Sequence, residues 1–163
     1  MTANRLSRTV SAFDRLPTPL ARRATTLLFN SQVRFAGTAG LQFEALSAER
    51  AVVIARNRRK VQNHIGGVHA AAMALLAETA TGAVFGMNVP DHALLLLKTM
   101  HIDYLQRAHG TLRAVATLDA SMRERIAGEE RGNLVVPVIV TDQSGNEPIR
   151  CEMTWAWLPK KKA

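Results

Sequence analysis

The order of sequence patterns predicts an α+β fold, an antiparallel β-sheet packed against one long central helix. Two observations carry that expectation. Between Ala70 and Gly86 the only charged residue is Glu78, and a helix that is apolar all round has to be buried. The string as a whole runs two helices, two strands, this apolar helix and then a series of strands. At 163 residues the chain is read as one domain, residues 1–163, long enough to bury a real core.

Taken in order, Leu6, Val10, Phe13 and Leu16 recur at helical spacing, and Pro17 stops that helix. Thr18-Pro19 then serves as cap and first turn of a second helix through Leu20, Ala24, Leu27 and Leu28. Residues 1–36 thus form a helical extension with an Arg-rich outer face, read as a basic layer lying on the core. After a break at Gly37–Gly40 come Leu41, Phe43 and Ala45, a turn at Ser47–Glu49, and the run AVVIA at Ala51–Ala55, a hairpin pattern. The central helix is expected over about residues 68–85, roughly four turns or more. Strands are expected at Leu94–Tyr104, Thr111–Ala120, Leu134–Thr141 and Pro148–Trp157. Turns at Ala108-His109-Gly110 and Gln143-Ser144-Gly145-Asn146 separate them.

Composition narrows the function classes. The longest apolar runs, such as Ala70–Ala77, fall well short of the roughly 20 residues that span a bilayer. No secretory signal is visible, and the single Cys151 forms no internal disulfide, so a cytoplasmic setting is expected. The net charge of +8 favours anionic partners. It is scattered over Arg22 and Arg23, the RNRRK run at Arg56–Lys60 and the tail Lys160–Lys162. A nucleic-acid surface would concentrate it beside aromatics, which make up only 5% of the chain, so nucleic-acid binding is not expected. The five His and one Cys have no partners at metal-ligand spacing, so no metal is expected.

The lone acid is the informative residue. A carboxylate inside such a helix is costly unless it is paired or faces a cavity or an interface. A structural acid bonded to a basic partner is one reading; an acid or base tuned by burial is the other. Just upstream, the unpartnered N–H groups of Val68, His69, Ala70 and Ala71 at the helix start offer donors to a carbonyl oxygen. Such a donor is worth about 3 kcal/mol when charge develops on that oxygen. Gly66 and Gly67 let the loop pass close to a ligand, and Asn63 either bonds a substrate or holds the loop. From Ala70 to Glu78 the rise is about 12 Å, too far for one carbonyl to touch both in one chain. Either the two ends serve separate purposes, or an antiparallel second subunit brings its Glu78 to the first subunit's helix start.

NHIGGVHAAAMALLAETATG (Asn63–Gly82) and DYLQRAHGTLRA (Asp103–Ala114) together resemble the hotdog-fold thioesterases. The nearest branch is that of the phenylacetate-pathway (PaaI-like) enzymes, and within it the group called DUF4442. That family's Asn, His, small pair and acid fall on Asn63, His69, Ala70-Ala71 and Glu78, across about residues 40–158. The resemblance implies a sheet wrapped around the central helix, a homodimer, and hydrolysis of an acyl thioester, usually of coenzyme A. Pairing of dimers into a tetramer, and an acyl carrier protein in place of coenzyme A, stay open. By the same carry-over, the Ala70 N–H polarises the carbonyl. Glu78 of the facing subunit is general base or nucleophile, and Asn63 and His69 position water or carbonyl. Gly67, Val68 and Ala71 border the substrate, and Arg58, Arg59 and Lys60 are candidates for its phosphates; coenzyme A enters as part of the substrate and no further cofactor is implied. The sequence departs from the family in having Ala70-Ala71 for a Gly pair, Glu for the commoner Asp, and no Ser/Thr counterpart in LLLLKTM (Leu94–Met100).

Two other readings compete. Hotdog dehydratases place a His fourteen residues before a Glu, as His64 stands to Glu78, but with a Pro-rich stretch between that IGGVHAAAMALLA lacks. A regulator that binds acyl-CoA without hydrolysing it would keep the pocket and not need the acid.

Overall fold

The computed structural model describes residues 4–160, so Lys161 and Lys162 of the basic tail lie outside the described residues. The N-terminal extension folds as three helices rather than two: α1 (Arg5–Phe13), α2 (Thr18–Gln32) and α3 (Arg34–Ala39). Gly37, expected in a break, lies inside α3; the chain turns at Gly40, whose left-handed backbone (φ 73°) ends that helix. Pro17 does separate α1 from α2, but it takes the N-cap position itself, and Thr18 makes no cap.

The extension is fastened to the core by side chains. Asn4 caps α1 through Oδ1, which accepts from Ser7 N–H at 2.8 Å. Its Nδ2 donates to the Gly86 and Val89 carbonyls, both at 2.7 Å, so one buried amide joins the start of α1 to the end of the central helix. Helix α2 lies along the open edge of strand β1 (Gln42–Leu46). There Thr26 Oγ1 accepts from Phe43 N–H at 2.9 Å, and Asn30 Nδ2 donates to the Leu41 carbonyl at 3.1 Å. Phe29 packs on Phe43 with ring centroids 4.7 Å apart. The helix thus covers an edge that would otherwise invite pairing.

The expected hairpin is present. Strand β2 (Arg50–Ala55) returns antiparallel to β1, with a bulge between Phe43 and Ala45. Strand β4 (Leu112–Thr117) adds to β2, pairing Ala51 with Ala116 and Val53 with Ala114. Strand β3 (Ala93–Tyr104) pairs along its whole length with β7 (Ile149–Pro159). The stretch Leu134–Thr141, expected as one strand, divides at Pro137. Strand β5 (Gly132–Val136) bonds to β7, whereas β6 (Val138–Thr141) bonds to β4. Pro137 has no N–H for a ladder, and the division falls where it stands. The two ladders, β1-β2-β4-β6 and β3-β7-β5, are thus joined through the chain at Pro137, where β6 also lies beside β7. Helix α5 (Ala120–Gly128) was not expected: the fourth strand stops at Thr117, and Asp119 caps a helix by accepting from Met122 N–H at 2.8 Å.

The central helix α4 (Ala70–Gly86) packs against strands of both ladders. Leu76, Ala77, Ala80, Ala83, Val84 and Phe85 are fully buried. Alanine at three of these six positions, opposite Ala51, Ala114 and Ala116, lets helix and sheet approach closely. The helix begins two residues later than expected, because His69 is its N-cap.

Candidate active site

The loop before α4 is organised by Asn63. Its Oδ1 accepts from Ile65 and Gly67 N–H, both at 3.1 Å, while its own N–H donates to the Gly67 carbonyl at 2.8 Å. Asn57 Nδ2 adds a bond to the Gly66 carbonyl at 3.1 Å, and Gln62 Nε2 braces Asn57 at 3.0 Å. Of the two readings for Asn63, the geometry carries the loop-holding one; its Oδ1 is occupied by the backbone. Gly66 needs the left-handed region, φ 78°.

At the helix start the four expected donors divide. The His69 N–H donates to the Val61 carbonyl at 2.8 Å, and the Ala71 N–H to His69 Nδ1 at 3.0 Å, so neither is free for a ligand. This corrects the expectation for Ala71. Val68 is 1% exposed and bridges antiparallel to Gln62. The Ala70 N–H has no hydrogen-bond partner among the described residues. With Nδ1 accepting, the imidazole of His69 carries its proton on Nε2 when neutral, which makes that atom an outward donor. Tyr104 Oη donates to the Ala70 carbonyl at 3.1 Å and fixes the first turn from the side. Arg107 Nη2 reaches the Ile65 carbonyl at 3.4 Å. Asn57 and Arg107 were not singled out from sequence, since their bonds to the loop cross it from other elements.

Glu78 lies two turns into α4, half-buried. Burial pushes its carboxyl above the usual glutamate range, and a weak hydrogen bond from Thr79 at 3.5 Å only partly offsets this. Among the described residues no ion pair reaches it. It opens instead on a cavity of about 460 Å³, whose walls include Leu28 and Phe29 of α2, Val33 between α2 and α3, Leu95 of β3 and Trp155 of β7. A carboxyl held in that setting binds its proton more tightly than a free one, the direction that makes its ionised form a better proton acceptor.

The other expected residues fall elsewhere. His69, Ala71 and Lys60 line a separate cavity of about 300 Å³ between α3 and the start of α4. The ammonium of Lys60 lies over Gly40, 2.8 Å from where a Cβ would stand there, at the C-terminal end of α3. Arg58 and Arg59 are exposed at the single 3₁₀ turn, Arg59–Val61, that precedes the loop. Glu78 and Ala70 share one continuous helix, so within a chain they stay about two turns apart.

A bent antiparallel sheet wrapped around one apolar helix is the hotdog fold, and solved structures agree with it. A structural-genomics protein matches at 27% identity and TM-score 0.73, over 95% of this chain and 99% of its own. A Pseudomonas aeruginosa protein of unknown function, named as a probable thioesterase, matches at 24% identity and TM-score 0.75, over 89% of this chain and 97% of its own. A Haemophilus influenzae thioesterase matches at 12% identity and TM-score 0.64, over 78% of this chain and 85% of its own. No curated protein sequence matches. Residues 21–158 of the 163 match the model of the domain of unknown function DUF4442, and the chain belongs to that family.

Proposed function

We propose that this protein is an acyl-CoA thioesterase that works as a homodimer. The observation that carries the reading is Glu78: a half-buried carboxylate with no cationic partner among the described residues, facing an apolar cavity. The unpartnered Ala70 N–H supplies the second component, a donor at a helix start where an oxyanion would be stabilised. Thioesterases among the structural relatives support the same class. As general base, Glu78 takes a proton from water as the oxygen bonds to the thioester carbonyl carbon. The C–S bond then breaks, the thiolate takes a proton, and a carboxylic acid and free thiol leave. As nucleophile, Glu78 would instead form an anhydride that water opens.

The dimer places Glu78 of one subunit against the Ala70 N–H of the other. Strand β3 supports it: among the described strands it is paired only with β7, and its length carries exposed Leu94, Leu96, Met100 and Tyr104. Met100 and Tyr104 stand opposite the buried Met153 and Ile149, on the face of β3 turned toward α4, and two such edges joined about a two-fold axis would bring the partner's helix against that face. Arg58 and Arg59 then flank the substrate's phosphates, and His69 Nε2 positions water or carbonyl.

The test is thiol release from short, long and aryl acyl-CoAs by wild type and Glu78→Ala. Hydrolysis that falls at least a hundredfold in the variant supports the reading. Binding of acyl-CoA without thiol release would replace it with a regulator. Cys151, a free thiol that burial pushes up to about 11, needs a substrate-free control against the thiol reagent.

A further inference from the structure

The 460 Å³ cavity beside Glu78 is walled by α4, by the N-terminal extension and, from the sheet, by Leu95 and Trp155. Glu78, Gly82 and Gly86 follow one another at spacings of four along α4 and form one face of it. The opposite wall is the N-terminal extension: Leu6 of α1, Leu28 and Phe29 of α2, and Val33 between α2 and α3. The lining is apolar apart from Gln32, Glu78 and Thr79. Its volume lies in the range of small-molecule sites, about 300–1,000 Å³.

The cavity also has a direction. At the Gly86 end, a Cβ would meet Leu6 Cδ2 at 3.6 Å and Leu95 Cδ2 at 3.7 Å, so these two side chains close it. At the Gly82 level, the Trp155 ring is pressed against the helix, where a Cβ would stand 2.7 Å from it. The Trp155 indole is held there by its N–H, which donates to Thr81 Oγ1 at 2.9 Å. From Glu78 to the closed end the helix rises about 12 Å, the extended length of an alkyl chain of roughly ten carbons, which would run beside the Trp155 ring because none fits between that ring and Gly82. A chamber open to an acid at one end and stopped by leucines at the other fits a linear tail better than a ring.

We propose that this chamber receives the hydrocarbon tail of a medium-chain acyl thioester, and that the N-terminal helices set the chain length. The proposal rests on the thioesterase reading for its substrate, and it divides that substrate between subunits. The subunit that donates Glu78 holds the acyl tail; the subunit that donates the Ala70 N–H holds the carrier side.

Two substitutions in the extension should move specificity in opposite directions. Leu6→Ala deepens the closed end and is expected to raise the dodecanoyl-to-octanoyl ratio of kcat/KM roughly tenfold. Leu28→Phe fills the chamber and is expected to lower the decanoyl-to-butyryl ratio by a similar factor. Val33→Phe repeats that test from the next turn should Leu28→Phe fold poorly. A wild-type preference for acetyl or aryl thioesters, or variants that shift all chain lengths alike, would overturn the proposal. Binding is read separately through tryptophan fluorescence, since Trp155 lines the chamber and only two Trp are present. If no thioester is hydrolysed, quenching by decanoyl-CoA that coenzyme A does not produce, and that Leu28→Phe weakens, supports the chamber without the chemistry. Equal responses to decanoyl-CoA and coenzyme A sink it.

Discussion

Glu78 and Asp142 show how the same functional group is pushed in opposite directions by its surroundings. Around Glu78 burial dominates and its carboxyl holds a proton more tightly than the ordinary value of 4.5 implies. The stability this contributes is complete below that value and is lost as pH rises through the raised one. Ionised Glu78 therefore costs stability near neutrality, and Glu78→Gln is expected to raise Tm at pH 7 by about 2 °C while abolishing thiol release. A calorimetric scan beside the activity assay checks both; a fall in Tm would mark Glu78 as a structural acid. The pH profile of kcat/KM should rise as Glu78 ionises, with an apparent pKa above 4.5. At Asp142 burial also pushes the carboxyl up, but N–H donors from His109, Asn146 and Ser144, at 3.0, 3.0 and 2.9 Å, together outweigh it and bring it below 3.8. Its contribution is present above that value and is lost as pH falls through the depressed one. Asp142→Ala leaves backbone N–H groups without an acceptor and should cost about 1–3 kcal/mol in urea melts at pH 7, and less at pH 3.

Packing between elements decides what a glycine on α4 is worth. Gly82→Ala would gain about 1 kcal/mol of helix propensity. Against that stands the Trp155 ring, 2.7 Å from the new Cβ, buried and tethered to Thr81. Moving a packed ring costs typically 1–3 kcal/mol, so the net change should be destabilising, and denaturant melts would show it. That constraint was not legible in the sequence, where Gly82 is one small residue among many. The helix itself was legible, because freedom from charge over so many residues leaves few alternatives to burial. So were the hairpin and the long strands, which keep their period without help. Leu134–Thr141 misled because its apolar run continues through Pro137, and only the missing N–H marks where the chain changes ladders. Asp119 carried the signal for α5, a cap followed by Met122 and Ile126 at helical spacing, inside a stretch otherwise read as the end of a strand. In the candidate site, Glu78 and a group of helix-start donors could be read from residue type and spacing, and the choice of Ala70 among them came with the family resemblance. The fate of the Ala71 donor could not, since His69 had to be seen turning back on its own helix.

At the scale of the whole molecule, the question is whether one chain contains a complete site. Ala70 N–H and Glu78 sit about 12 Å apart along α4, so the proposed site, which uses both, needs a partner. Wild type should elute in light scattering at twice the 17.8 kDa chain mass, and Met100→Lys on the α4-facing side of β3 should reduce both dimer and activity. A sharper test separates the two halves of the site genetically. Ala70 is the first residue of α4, where proline is tolerated, and His69 before it already has the extended backbone (φ −64°, ψ 143°) that precedes proline. Ala70→Pro therefore removes the proposed donor while leaving the helix intact, and should lower kcat by about a hundredfold. Glu78→Ala removes the acid. Neither homodimer then has a working site. In mixed dimers the Ala70→Pro chain still supplies Glu78, and the Glu78→Ala chain still supplies the Ala70 N–H, so one of the two sites is whole. Coexpressed chains that assort at random should recover about a quarter of wild-type activity. A mixture as inactive as its parents would place acid and donor in service of the same chain, and the two-subunit site would have to be abandoned.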